Sequence, residues 1–101
     1  METETAAKVA TYLLQINAIK LDSQKPFTWA SGLRSPIYCD NRLSLSFPQV
    51  RTFLKKSLVD ATRLFPKFER VAGVATAGIP HGTLVADVLD LPFLYIREKP
   101  K

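Results

Sequence analysis

Between Arg70 and Thr76 the sequence runs Val71-Ala72-Gly73-Val74-Ala75, an apolar segment with no polar alternation. A strand of that kind has no solvent side and belongs in a parallel sheet covered on both faces. The pattern returns over Pro92 to Ile96. Between the two, Pro80 is placed to open a helix, and Leu84, Val85, Val88 and Leu89 fall at helical spacing. That length accommodates a helical crossover, so the strands are expected to run parallel as one right-handed βαβ unit. Such a unit needs a sheet around it. A chain of 101 residues buries only somewhat more than about 60% of its unfolded surface, too little for a large sheet covered on both sides. The sequence therefore reads as an incomplete α/β domain, expected to be weakly stable or oligomeric alone.

Upstream, Ala6, Val9, Ala10, Leu13, Leu14 and Ile16 keep the spacing of one helical face, which predicts an amphipathic helix from about Thr5 to Ile19. After the polar loop Leu21 to Pro26, Phe27-Thr28-Trp29 and Pro36 to Asp40 read as two short strands across a turn. Ser46-Phe47-Pro48-Gln49 has the form of a capping box with proline in the first turn. A helix is expected to follow, with Phe47, Val50, Phe53, Leu54, Leu58, Ala61, Leu64 and Phe65 on one stripe and Pro66 as its end. Arg51, Lys55, Lys56 and Arg63 lie largely off that stripe.

Composition closes several routes. One cysteine and one histidine exclude a disulfide scaffold and a zinc finger. No apolar run approaches the roughly 20 residues that cross a bilayer, and the acidic start Met1-Glu2-Thr3-Glu4 is unlike a signal peptide. A cytoplasmic location without a membrane partner is the expectation. Fourteen Lys and Arg against nine Asp and Glu leave a net charge of +5. The basic residues are dispersed, which suits a solvated surface or the steering of a small anionic substrate, and makes nucleic acid a weaker expectation.

Chemistry concentrates after the first buried strand. Gly78 and Gly82 flank a helix start whose free N–H groups can hold phosphate, although the same glycines would serve a plain strand-to-helix turn. Gly73 and Gly78 have Walker-loop spacing, but Ile79-Pro80 follows instead of Lys and Ser or Thr, and no GxGxxG occurs. His81, in the first helical turn, reads as neutral and structural, because the helix dipole disfavours a cation there. Cys39 reads as a small buried side chain with no base to activate it. Trp29 and Tyr38 read as core aromatics or as stacking faces for a flat heterocycle. In an open parallel sheet ligands gather at the carboxyl ends of the strands, where the Thr76 loop and Arg97 both fall.

Three segments carry a resemblance. Pro26-Phe27-Thr28-Trp29-Ala30-Ser31-Gly32-Leu33-Arg34-Ser35-Pro36-Ile37-Tyr38-Cys39-Asp40-Asn41-Arg42 resembles the N-terminal signature of bacterial orotate phosphoribosyltransferases. Val71 to Gly82 is similar to that family's pyrophosphate loop and the helix after it, and Tyr95 to Lys101 to the start of its flexible catalytic loop. Ala30 and Ala77 stand where another subgroup of the family carries lysines, and Glu98 where a basic residue is frequent.

The resemblance implies a type I phosphoribosyltransferase-like parallel sheet with helices on both faces and a small N-terminal hood. This chain would hold the N-terminal portion of one such domain: hood and first helix over about 1–45, the start of the α/β core over about 46–101. It implies transfer of the phosphoribosyl group of PRPP to orotate, giving orotidine 5′-phosphate and pyrophosphate with Mg²⁺, in pyrimidine biosynthesis. The transition state would be oxocarbenium-like. By the same resemblance Thr76, Ala77, Gly78 and Ile79 would bind pyrophosphate through main-chain amides. Arg97 and Lys101 would reach PRPP in the neighbouring subunit of a homodimer, with Lys101 as the catalytic lysine on the leaving group. Ile37, Tyr38 and Cys39 would flank the orotate ring. The family's acidic PRPP motif, which lies beyond the catalytic loop, is not in this sequence, so no metal ligand is expected within the chain and the chain alone is expected to be inactive. A non-catalytic regulator or nucleic-acid-binding module on the same fold is the alternative reading, and a transferase for a different base a third.

Overall fold

The computed structural model describes residues 3–29 and 31–99. Helix α1 (Thr3–Gln15) leads through Asn17 into strand β1 (Ile19–Leu21). Asn17 takes a left-handed backbone, φ 62°, a conformation that asparagine tolerates at helix ends. Strands β2 (Phe27–Thr28), β3 (Arg34–Ser35) and β4 (Ile37–Cys39) follow, then a 3-10 helix over Asn41–Ser46, helix α2 (Pro48–Thr62), strand β5 (Val71–Val74), helix α3 (Gly78–Leu89) and strand β6 (Phe93–Ile96).

The hood pairs differently from the expectation. Phe27 and Thr28 pair antiparallel with Ser35 and Arg34 in a short hairpin, whereas β4 pairs antiparallel with β1, Ile19 opposite Cys39. Pro36 lacks an N–H and separates the two pairings. The Trp29 indole N–H then ties the hairpin to β4 by donating to the Ile37 carbonyl at 2.9 Å. The capping box does not form either: Phe47 caps α2 without a side-chain hydrogen bond, with Pro48 behind it in the first turn. Ser46 is instead the last residue of the 3-10 helix, a segment the apolar pattern did not announce.

The βαβ unit is present. Strands β5 and β6 run parallel, with Val71 opposite Phe93 and Val74 opposite Ile96, and α3 packs on both. Its C-terminus closes at Asp90 in a left-handed conformation, φ 56°. The expectation of strands buried on both faces is corrected. Gly73 is buried against α3 and Val71 and Phe93 are half-buried, while on the opposite face Val74 is 67% exposed and Ile96 55%. The tight core lies elsewhere, where Leu13 and Ala18 meet Val50 and Leu54 of α2. A radius of gyration of 15.2 Å, against about 13 Å for a compact domain of this length, reflects that thin core and the open sheet face.

Candidate functional site

Register places the carboxyl ends of β5 and β6 side by side, and the Ala75 N–H donates to the Ile96 carbonyl at 2.9 Å. The loop from Thr76 to Gly78 therefore leaves the sheet beside Arg97. Ala77 caps α3 without a side-chain partner, so the first N–H groups of the helix carry its positive dipole end toward solvent. The Ile79 N–H is returned to the Thr76 carbonyl at 3.1 Å, whereas the amides of Thr76, Ala77 and Gly78 donate to no main-chain carbonyl outside the helices and strands among the described residues.

A cleft of ≈ 520 Å³ joins this loop to the hood. Tyr38, Cys39, Asp40, Asn41 and Arg42 line one wall, Ala77, Gly78 and His81 another, and Leu13, Leu54 and Leu58 the apolar floor. Two segments far apart in the sequence, Tyr38–Cys39 and Ala77–Gly78, thus share one cavity. Ile37 and Arg97 are not among its walls: Ile37 serves the hairpin through its carbonyl, and the Arg97 guanidinium sits 5.3 Å from the Tyr95 ring centroid. Lys101 and Ala30 lie outside the described residues.

Cys39 is exposed, not buried as the sequence suggested. A two-stranded ribbon covers only one of its faces. Its thiol donates to Asn41 Oδ1 at 3.1 Å. Partial burial first, and the Asp40 carboxylate second, push its pKa up, so it stays a thiol and is no activated nucleophile. Tyr38 packs on Phe27 with ring centroids 5.7 Å apart and is 37% exposed, which leaves part of the ring available in the cleft.

His81 ties the two walls together. Ser44 is fully buried; its hydroxyl lies 2.7 Å from the Asn41 carbonyl and 2.9 Å from His81 Nε2. A carbonyl can only accept, so both bonds form when Ser44 donates to Asn41 and the His81 Nε2–H donates to Ser44. Burial lowers the His81 pKa below its ordinary 6.5, in accord with the neutral structural role read from the sequence. A histidine with a depressed folded-state pKa contributes stability above its unfolded value and loses it as pH falls through the folded one. Urea midpoints of the chain are expected to drop between pH 7.5 and 5.5, and His81→Gln to flatten that dependence. A wild-type midpoint rising toward pH 5.5 would contradict this assignment. The Asp40 carboxyl, held below its ordinary 3.8 by the Arg42 side chain, titrates in a separate window at lower pH.

The arrangement sets a helix start at the carboxyl edge of a parallel sheet, opposed by a hood that presents Tyr38, and this architecture is that of the type I phosphoribosyltransferases. Solved structures bear the fold out. The adenine phosphoribosyltransferase of Trypanosoma brucei superposes with a TM-score of 0.65 at 18% identity, over 92% of this chain and 38% of that one. The orotate phosphoribosyltransferase of Aeropyrum pernix gives 0.77 at 29% identity, over 92% of this chain and 51% of that one. In sequence, the chain is 54% identical over 97 residues, 95% of its length, to the orotate phosphoribosyltransferase of Streptococcus pneumoniae, of which it covers 46%. The similarity thus extends beyond the three segments, along almost the whole chain. The chain spans about half the length of the curated relatives it matches. No protein-family profile matches it. Among the described residues no helix is long and apolar enough to cross a membrane, and no three His, Cys, Asp or Glu side chains gather into a metal-binding group.

Proposed function

We propose that this chain forms the base-binding and pyrophosphate-binding part of an orotate phosphoribosyltransferase, acting in pyrimidine biosynthesis by joining orotate to the ribose of PRPP with release of pyrophosphate. The observation that carries this reading is the shared cavity: Tyr38 and Cys39, beside which a flat ring can lie, line the same cleft as Ala77 and Gly78. In such a transfer charge builds on the departing pyrophosphate and on the ribose carbon. Fixed N–H dipoles at a helix start stabilise the first without reorganisation, and a hood over the ring keeps water from the second.

In this reading Thr76, Ala77 and Gly78 receive pyrophosphate, with Ile79 holding the turn that aims them. Arg97 and Lys101 reach PRPP across a homodimer interface, and Lys101 neutralises the leaving group. Residues 1–45 supply the hood and 46–101 the start of the core, in a cytoplasmic enzyme. Mg²⁺ belongs to the reading as the companion of PRPP. The described residues offer it no carboxylate cluster, so the chain's own part is played by its amides and by the walls of the cleft.

Titrating the ¹⁵N-labelled chain with inorganic pyrophosphate tests the anion half of this proposal. Amide shifts concentrated at Thr76, Ala77 and Gly78 are expected. Shifts scattered over the basic residues of α2, with none in the loop, would contradict it.

A further inference from the structure

The cleft contains an arginine that neither the strand pairing nor the loop requires. Arg42 sits in the first turn of the 3-10 helix, whose cap is Asp40. A single carboxylate oxygen, Asp40 Oδ1, accepts from both the main-chain N–H and Nε of Arg42, at 3.1 Å each. Asp40 is fixed in turn by its own N–H, which donates to the carbonyl of the buried Ala18 at 2.7 Å. The guanidinium is therefore gripped by its inner nitrogen. Because the group is a rigid planar fork, its terminal amines remain available for a second, paired acceptor. No protein acceptor engages them among the described residues, and the side chain is 53% exposed.

Stability alone is a poor reason for this arrangement, because an exposed ion pair contributes little. Its setting is more telling. Arg42 lines the same cleft as Tyr38 and Gly78, and among the described residues lining it Arg42 is the one cationic side chain, His81 being neutral. Orotate is a pyrimidinedione carrying a carboxylate on the ring, and uracil is the same ring without it. A planar carboxylate matches the two free amines of a guanidinium in a bidentate pair.

We propose that Arg42 selects the anionic base, its terminal amines receiving the ring carboxylate, with Asp40 as the residue that positions it. This rests on the orotate reading above, and the two can fail separately. The chain is titrated with orotate and with uracil, in wild type and in Arg42→Gln, Arg42→Lys and Asp40→Asn, with amide shifts of Tyr38, Asn41 and Gly78 as the readout. Wild type is expected to favour orotate about tenfold or more, in a salt-sensitive way. Arg42→Gln should abolish that preference while leaving uracil binding unchanged, and Asp40→Asn should reduce it. Arg42→Lys should keep part of it, since it retains the charge and loses the fork; it serves as the test if the glutamine variant does not fold. An undiminished orotate preference in Arg42→Gln, or a full one in Arg42→Lys, overturns the role of Arg42 alone. Binding of neither base by folded wild type overturns the orotate reading and this proposal with it.

Discussion

Replacing Gly73 by alanine is expected to displace the start of α3 and remove pyrophosphate binding, although Gly73 lies within a strand and touches no ligand. A Cβ at this position would stand 2.5 Å from the Gly78 carbonyl oxygen and 3.0 Å from its carbon, with the Phe93 ring at 3.1 Å. The first two are backbone atoms, so the obstruction cannot be relieved by turning a side chain. Either β5 or the helix start must shift, at a cost of about 1–3 kcal/mol for overpacking and with the amides of Ala77 and Gly78 out of line. Pyrophosphate affinity should fall at least tenfold, a loss of roughly 1.4 kcal/mol. Gly78→Ala is the informative comparison. Its Cβ would find only ordinary contacts, the nearest being Gly73 carbon at 3.6 Å, so the substitution should be mild. If Gly78→Ala proved the more damaging of the two, the close packing of β5 against α3 would not be what sets the loop.

The second large effect belongs to Leu54. It is 9% exposed and packs with Leu13, Ala18 and Val50 in the tight core, and it also forms part of the cleft floor. Leucine-to-alanine changes at such sites cost about 2–5 kcal/mol, as lost transfer energy plus a residual cavity. Small domains have stabilities of only about 3–5 kcal/mol to lose. Here Val74, Leu94 and Ile96 are more than two-fifths exposed, so the sheet's outer face adds little. Leu54→Ala is therefore expected to abolish cooperative thermal unfolding of the chain. A sharp transition within a few degrees of wild type would show that stability resides outside the α1–α2 core.

The βαβ unit was legible because a strand without alternation, a helix of the right length and a second such strand permit few alternatives. The place of the Thr76 loop was legible for the same reason, since it follows from where parallel strands end. What escaped were short-range competitions. Pro36 divides the hood into two pairings where the apolar pattern suggested one, and Ser46 closes a 3-10 helix where it seemed to open an α-helix. Cys39 was expected inside on its apolar neighbours, but a ribbon of two strands leaves one face wet. Attention to glycine fell on Gly78 and Gly82, which flank the helix start; the close approach that escaped is at Gly73 within the strand, where a Cβ would meet Gly78 and Phe93. Arg42 carried no signal beyond its place in a short motif; only the fold shows that it shares a cavity with the loop. Ile37 and Arg97, to which the resemblance pointed, are not among the residues that line the cleft.

The most direct measurement is PRPP-dependent consumption of orotate, made on this 101-residue chain and, in parallel, on one continued with the part of the Streptococcus pneumoniae relative that this chain does not cover. The account predicts turnover in the continued chain, with pyrophosphate released in equal amount, and none in the shorter one. A continued chain that folds and dimerises yet leaves orotate untouched would contradict it.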